Sequence, residues 1–144
     1  MRCAAALILL VLSPVAVAGE FRSIAETGTV MYDAPSVRAK KLYVATRAYP
    51  VEVVINIDAW AKVRDQAGDL TWVEKKALSE RRTVVVTAAY ADVRQAPNDQ
   101  AALVFQAQQG VALDLVEPSS GTWVKVRHSD GQVGFLKMSQ VWGL

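Results

Sequence analysis

The chain has 144 residues, with 16 basic against 14 acidic side chains and a formal net charge of +2 at neutral pH. So close a balance excludes the dense positive surface of a nucleic-acid coat. One Cys and one His exclude a zinc site built from several such ligands.

The N-terminus reads first. "MRCAAALILLVLSPVAVAGE" holds one basic residue, Arg2, then an apolar run from Cys3 to Leu12, a helix-breaking Pro14 and the small-residue pattern Ala16-Val17-Ala18. That layout predicts a secretory signal peptide over 1–18, cleaved after Ala18. The run is too short to span a bilayer comfortably, which takes about 20 apolar residues; the alternative is a retained N-terminal anchor or a buried helix. No other long apolar run exists, so no transmembrane segment is expected in the mature chain. Removal of 1–18 takes away Cys3, the one Cys, so the exported product must be held by its core without disulfides.

The remaining chain is built on a repeat. "WAKVRDQAGDLTWVEKKAL" from Trp60 aligns without a gap with "WVKVRHSDGQVGFLKMSQV" from Trp123, an offset of 63. Upstream, "YDAP" at 32–35 matches "RQAP" at 94–97, and "LYV" at 42–44 matches "LVF" at 103–105, at offsets of 62 and 61. Two modules follow, 19–80 and 81–144, joined near "SERRT" at 79–83. Each reads as short strands. "VEVVINI" at 51–57 is β-branched, "VALDLV" at 111–116 alternates, and "DQAGDL" and "HSDGQV" supply Gly to hairpin turns. Pro35 and Pro97 mark loops. "EKKAL" and "KMSQV" could each form one helical turn. The pattern predicts an all-β chain of two tandem small β-barrels, each of about five short antiparallel strands.

Alternation assigns faces. In "WAKVR", Ala61 and Val63 point one way and Trp60, Lys62 and Arg64 the other. In "WVKVR", Val124 and Val126 oppose Trp123, Lys125 and Arg127. Each Trp therefore shares a face with cations. It either folds over the barrel rim to cover core, or forms an aromatic ledge for a ligand.

These residues resemble the bacterial SH3 (Src homology 3) domain family. The second module carries its opening phrase as Asp92-Val93-Arg94-Gln95-Ala96-Pro97 and its "G-x-x-V" strand around Gly110 to Leu115. It closes with Gly121, Trp123, Lys125, Val126, Asp130, Gly131, Gly134, Phe135 and Leu136. The first module is similar but departs from the pattern. Tyr32 stands where Arg94 does, Ala59 where Gly121 does and Thr71 where Gly134 does. The resemblance implies a five-stranded, strongly bent antiparallel barrel. It also implies a place in the cell envelope, often binding peptidoglycan or its peptides as an accessory to an enzyme.

Catalytic material is sparse. His128 lies at a hairpin turn and reads as a solvated turn residue. No carboxylate pair is set apart by its surroundings, and no phosphate loop exists. From Gly19 to Arg82 there are 11 basic and 9 acidic residues, and from Thr83 onward 4 and 5. Arg38, Lys40 and Lys41 fall in the loop after Pro35, and Lys75, Lys76, Arg81 and Arg82 crowd the junction. They either solvate exposed loops or attract an anionic envelope partner.

The expectation is an exported, non-enzymatic binding module of the periplasm or cell envelope, needing no cofactor or metal. Its partner would be a cell-wall peptide or glycan, or else an envelope protein held as by an adaptor, and not nucleic acid. The expected site is a shallow groove per module, between the loop after Pro35 or Pro97 and Trp60 or Trp123. Its candidate residues are Tyr32, Trp60, Lys62, Arg64 and Trp72, and Arg94, Trp123, Lys125, Arg127 and Phe135. Aromatic faces would pack on the ligand and the cations would pair with its carboxylates.

Overall fold

The computed structural model describes residues 19–117 and 121–144. The leader expected at 1–18 lies outside the described residues.

Among the described residues all regular structure is β apart from two single 3-10 turns, Lys75–Ala77 and Met138–Gln140, at the two places where the sequence could form one helical turn. The first sheet contains β1 (Glu20–Ile24), β2 (Thr29–Tyr32), β3 (Lys41–Ala45), β4 (Pro50–Ile57), β5 (Trp60–Arg64), β6 (Leu70–Glu74) and β7 (Leu78–Ser79). The second contains β8 (Thr83–Val86), β9 (Tyr90–Arg94), β10 (Leu103–Gln108), β11 (Ala112–Leu115), β12 (Trp123–Arg127), β13 (Val133–Lys137) and β14 (Val141–Trp142). The spatial orders are β3-β2-β6-β5-β4-β1-β7 and β10-β9-β13-β12-β11-β8-β14, the same topology twice. Seven strands per sheet exceed the expected five, partly because two-residue strands such as β7 and β14 are too short to show a period.

Side chains from across each sheet meet in one cluster, so each sheet is rolled around its own core. The first holds Ile24, Met31, Ala45, Val51, Ala61, Val63 and Val73. The second holds Val84, Val86, Ala91, Val93, Ala107, Leu113, Val124, Val126 and Leu136. Alternation is obeyed: Ala61, Val63, Val124 and Val126 are buried, while Trp60 and Trp123 are half-buried on the opposite face.

The backbone corrects two details of the repeat. Register pairs Met31 with Tyr43 and Val93 with Phe105, so Tyr43, not Val44, is the counterpart of Phe105. The extra residue is Leu42 in one module and Val104 in the other, a bulge that alignment by composition cannot see. Likewise Asp58, not Ala59, corresponds to Gly121. Both take left-handed backbone, at φ 51° and 66°, two residues before their Trp. Asp tolerates that conformation better than most residues with a Cβ.

The barrels meet along a seam. Every residue of β8 is buried: Val84 and Val86 face their own core, while Thr83 and Val85 face outward, where β8 meets β4. Phe21 on β1 packs edge-on against Trp142 on β14, ring centroids 5.2 Å apart at 81°. The Arg82 guanidinium lies over Phe21 at 5.4 Å and donates to the Gly143 carbonyl at 2.9 Å. The Ser23 hydroxyl donates to the Arg81 carbonyl at 2.7 Å. Gly143, at φ +119°, leaves no room for a side chain, since a Cβ there would lie 2.8 Å from the Thr83 carbonyl oxygen.

Candidate functional site

The outer face of the first barrel is a row across four strands. Register sets Tyr32 beside Trp72, Trp72 beside Lys62, and Lys62 beside Ile55. Trp60 sits one step along, between Ile57 and Glu74. Tyr32 meets Trp60 edge-on at 5.4 Å and 83°, and the Lys62 ammonium lies 5.8 Å from the Trp72 ring centre. Strand β4 runs four residues past its counterpart β11, with a bulge at Val54. The overrun exposes Val54, Ile55 and Ile57, extending the aromatic surface with aliphatic area.

Trp60, Lys62 and Trp72 therefore come together as a surface. Tyr32 does not join it as an exposed group: at 7% exposure it backs Trp60 from below. Arg64 ends the strand in an ion pair with Glu52 at 3.0 Å. Lys62 makes no ion pair among the described residues.

The second barrel uses equivalent positions differently. Arg94, beside Phe135, donates to the Ala101 carbonyl at 3.0 Å and to Asp92 at 3.2 Å, so its guanidinium holds its own loop. Lys125 lies 5.8 Å over Phe135 and reaches Glu117 at 3.3 Å. Lys137 covers Trp123 at 5.7 Å and pairs with Asp99 at 2.9 Å. Asp99 belongs to the loop after Pro97, so that ion pair bridges the very groove the sequence suggests. In the first barrel Glu74 occupies the place of Lys137 and pairs with Lys76 at 3.1 Å, and no such bridge forms among the described residues.

The bacterial SH3 domain model matches the chain twice, over residues 25–80 and 87–143. The chain belongs to the bacterial SH3 domain family. No curated protein matches it. Among solved structures it is similar to NlpC2 from Trichomonas vaginalis, at 12% identity and a TM-score of 0.38, covering 87% of this chain and 48% of that one. It is also similar to an NlpC/P60 family protein from Bacillus cereus ATCC 10987, at 15% identity and a TM-score of 0.40, covering 85% and 55%. A third, NlpC1 from Trichomonas vaginalis, gives 14% identity and a TM-score of 0.38, covering 95% and 50%. The chain thus spans about half the length of these structures. Likeness at such TM-scores says nothing of what this chain binds.

Between the two SH3 barrels lies a cleft of about 520 Å³. Its walls include Arg47 and Ala48 from the first barrel, Arg81 from the linker, and Asp114, Arg127 and His128 from the second. Arg127, expected beside Trp123, thus lines this cleft. Nothing in the sequence points to Arg47, because it gains meaning only when the other barrel docks beside it.

Local groups tune the hairpin tips. Tyr43 reaches toward Asp65 at 3.4 Å, and its counterpart Phe105 meets the His128 ring at a tilt of 54°, centroids 5.5 Å apart. Burial pushes the Tyr43 phenol above its ordinary value, helped by the Asp65 charge and opposed by the Thr71 hydroxyl. Burial likewise raises Tyr49. The Gln132 N–H, donating to Asp130 at 2.9 Å, holds that carboxyl below the usual range, with His128 adding to the effect. His128 Nδ1 accepts the Asp130 N–H at 3.3 Å and the ring lies beside Phe105, so the side chain is held within its turn rather than simply solvated. Among the described residues, no cluster of three or more metal-ligating side chains occurs, and no helix is long and apolar enough to cross a membrane.

Proposed function

We propose that the protein is an exported, non-enzymatic binding module that recognises a cell-wall peptide in the envelope, chiefly through its first barrel. One observation carries this reading. Trp60 and Trp72 remain half-exposed beside exposed Ile55 and Ile57 and beside Lys62, which forms no ion pair among the described residues, whereas the equivalent second-barrel groove is bridged by Lys137 and Asp99. Aromatic faces supply apolar contact at little conformational cost, and one free ammonium can meet a ligand carboxylate. Membership of the bacterial SH3 family supports the envelope setting. The leader-like N-terminus supports export.

Cosedimentation with purified wall sacculi tests the reading. The wild type is expected to pellet at low salt, Trp60→Ala to bind about tenfold more weakly, equivalent to the loss of about 1.4 kcal/mol, and Trp123→Ala to bind nearly as the wild type. A wild type that stays in the supernatant sinks the proposal. Equal losses in both variants would sink the asymmetry.

A second reading, a protein adaptor, is favoured by the edges. Strands β3 and β10 each pair on one side only and expose Leu42, Val44 and Leu103. An extended partner could add a strand there through backbone hydrogen bonds.

A further inference from the structure

The cleft between the barrels has a charge balance that the fold itself does not require. In the first barrel Glu52 holds Arg64 across the β4–β5 ladder. The equivalent pair across β11–β12 is Asp114 and Arg127. There the linker intervenes: Arg81 forms the ion pair with Asp114. Arg127 keeps Asp114 as a cross-strand neighbour but forms no ion pair among the described residues. Arg47, on the opposite wall, forms none either; its backbone N–H is taken by the Thr27 hydroxyl at 3.1 Å. Three guanidinium groups therefore line the cleft against one carboxylate, an excess of two positive charges. A smaller hollow of about 90 Å³ adjoins it, sharing Arg47, Ala48 and Arg81.

We propose that this cleft is a second binding site, separate from the aromatic faces, for a ligand that presents two carboxylates, one to Arg47 and one to Arg127. Three features favour that chemistry. The volume suits a small ligand or a few residues of peptide, within the usual range of about 300–1,000 Å³ for such sites. The backbone donors at the rims are consumed, Ala48 N–H by the Ile24 carbonyl and Gly110 N–H by the Val86 carbonyl, both at 2.8 Å. A backbone cradle of the phosphate-binding kind is therefore closed at these positions. The donors that remain include the planar guanidinium forks of Arg47 and Arg127, which match a carboxylate two bonds at a time. Ala48 also holds a left-handed conformation at φ 70°, opposite Gly110 at φ 87°, a local strain of the sort concentrated at binding sites. Because Arg47 and Arg127 come from different barrels, the ligand would also clamp the two together.

The test is calorimetric titration of the purified protein with two probes: glutarate, a free dicarboxylate, and acetyl-Glu-Gly-Glu-amide, a peptide with two side-chain carboxylates. Saturable binding of either, with a raised melting temperature, is expected, and the tighter probe tells which source of carboxylate the cleft prefers. Arg47→Ala and Arg127→Ala should each weaken it about tenfold or more. Both positions are exposed, and amide spectra would verify the fold. Arg47→Lys and Arg127→Lys should lose most of the affinity too, since an ammonium keeps the charge but not the fork. Trp60→Ala should leave this binding intact, so its failure and that of the aromatic-face reading are separable. Binding of neither probe at millimolar concentration overturns the proposal. So does binding that the alanine variants retain, or that the lysine variants keep in full.

Discussion

The two barrels share topology, the bulge of β3 and β10, and core pattern, yet spend their outer faces differently. In the first, Lys62 stands free over Trp72, and a long β4 adds Ile55 and Ile57 beside Trp60. In the second, each cation over an aromatic ring is also tied to a carboxylate of the same barrel. Its outward strand β8 is covered by its neighbour. Duplication supplies two equal scaffolds; a few polar exchanges then make one an open surface and the other a self-closed support. A cation already neutralised must break that pairing to serve a ligand, so the free one is the better recognition group.

Exchanging residues between equivalent positions tests how far the likeness goes. The largest effect is expected at Gly134, the counterpart of Thr71. A Cβ at Gly134 would lie 2.6 Å from Val93 Cγ1 and 2.7 Å from the Arg94 carbonyl oxygen. Gly134→Ala should therefore destabilise by about 3 kcal/mol, read as a lower midpoint in urea. Thr71→Gly meets no clash; it empties a buried position and frees the unfolded backbone, and should cost about 2 kcal/mol. An equal cost for the two would mean that the β9–β13 approach is no tighter than β2–β6.

Next comes the seam. Thr83 occupies the place of Phe21, and its buried hydroxyl finds no hydrogen-bond partner among the described residues. An orphaned buried hydroxyl costs about 1–3 kcal/mol. Thr83→Val should thus raise stability by about 1 kcal/mol in chemical denaturation. A loss instead would reveal a partner for that hydroxyl.

Smaller still is the exchange at Ala48 and Gly110. Left-handed backbone costs an L-residue about 1–2 kcal/mol. The greater freedom of Gly in the unfolded chain returns about 0.4–1 kcal/mol of that. Ala48→Gly should therefore gain about 0.5 kcal/mol and Gly110→Ala lose a similar amount.

The finest contrast is in pH. Burial raises the phenols of Tyr43 and Tyr49 above their ordinary 10.0. Their contribution is fully present below about pH 10 and is lost as pH rises through the folded-state values. The second barrel has Phe105 and Val111 at these positions and lacks the effect. Its Asp130 works at the other end: with its carboxyl depressed below 3.8, the contribution is present above that value and lost as pH falls through the folded one. Amide spectra should show alkaline disturbance starting in the first barrel and acid disturbance around Asp130. Alkaline disturbance that begins instead around Phe105 would contradict the assignment.

Much of the fold was legible from local pattern. Repetition of "WAKVR" as "WVKVR" announced two copies. Alternation separated Ala61, Val63, Val124 and Val126 from the two Trp residues, because successive side chains on a strand must point to opposite faces. Less of the candidate site could be read. Tyr32 and Trp60 lie 28 residues apart in the chain, and the burial of one beneath the other depends on strand order. Arg94 is bound to its own loop and Arg127 lines the cleft between the barrels, placements that depend on loop 95–101 and on the docking of the other barrel. The bulges at Leu42 and Val104 shift register without any change of composition.

The sequence by itself thus determined two small all-β barrels, their topological equivalence and which residues of β5 and β12 enter the cores. Period and turn chemistry are local, and local signals survive in one dimension. Tertiary structure alone decided which aromatic face stays open, which cation is free, and that Arg47, Arg81 and Arg127 converge on one cleft. Those outcomes depend on partners drawn from distant strands and from the other barrel. Charge is neutralised or left free by distance in space, which the order of residues does not record.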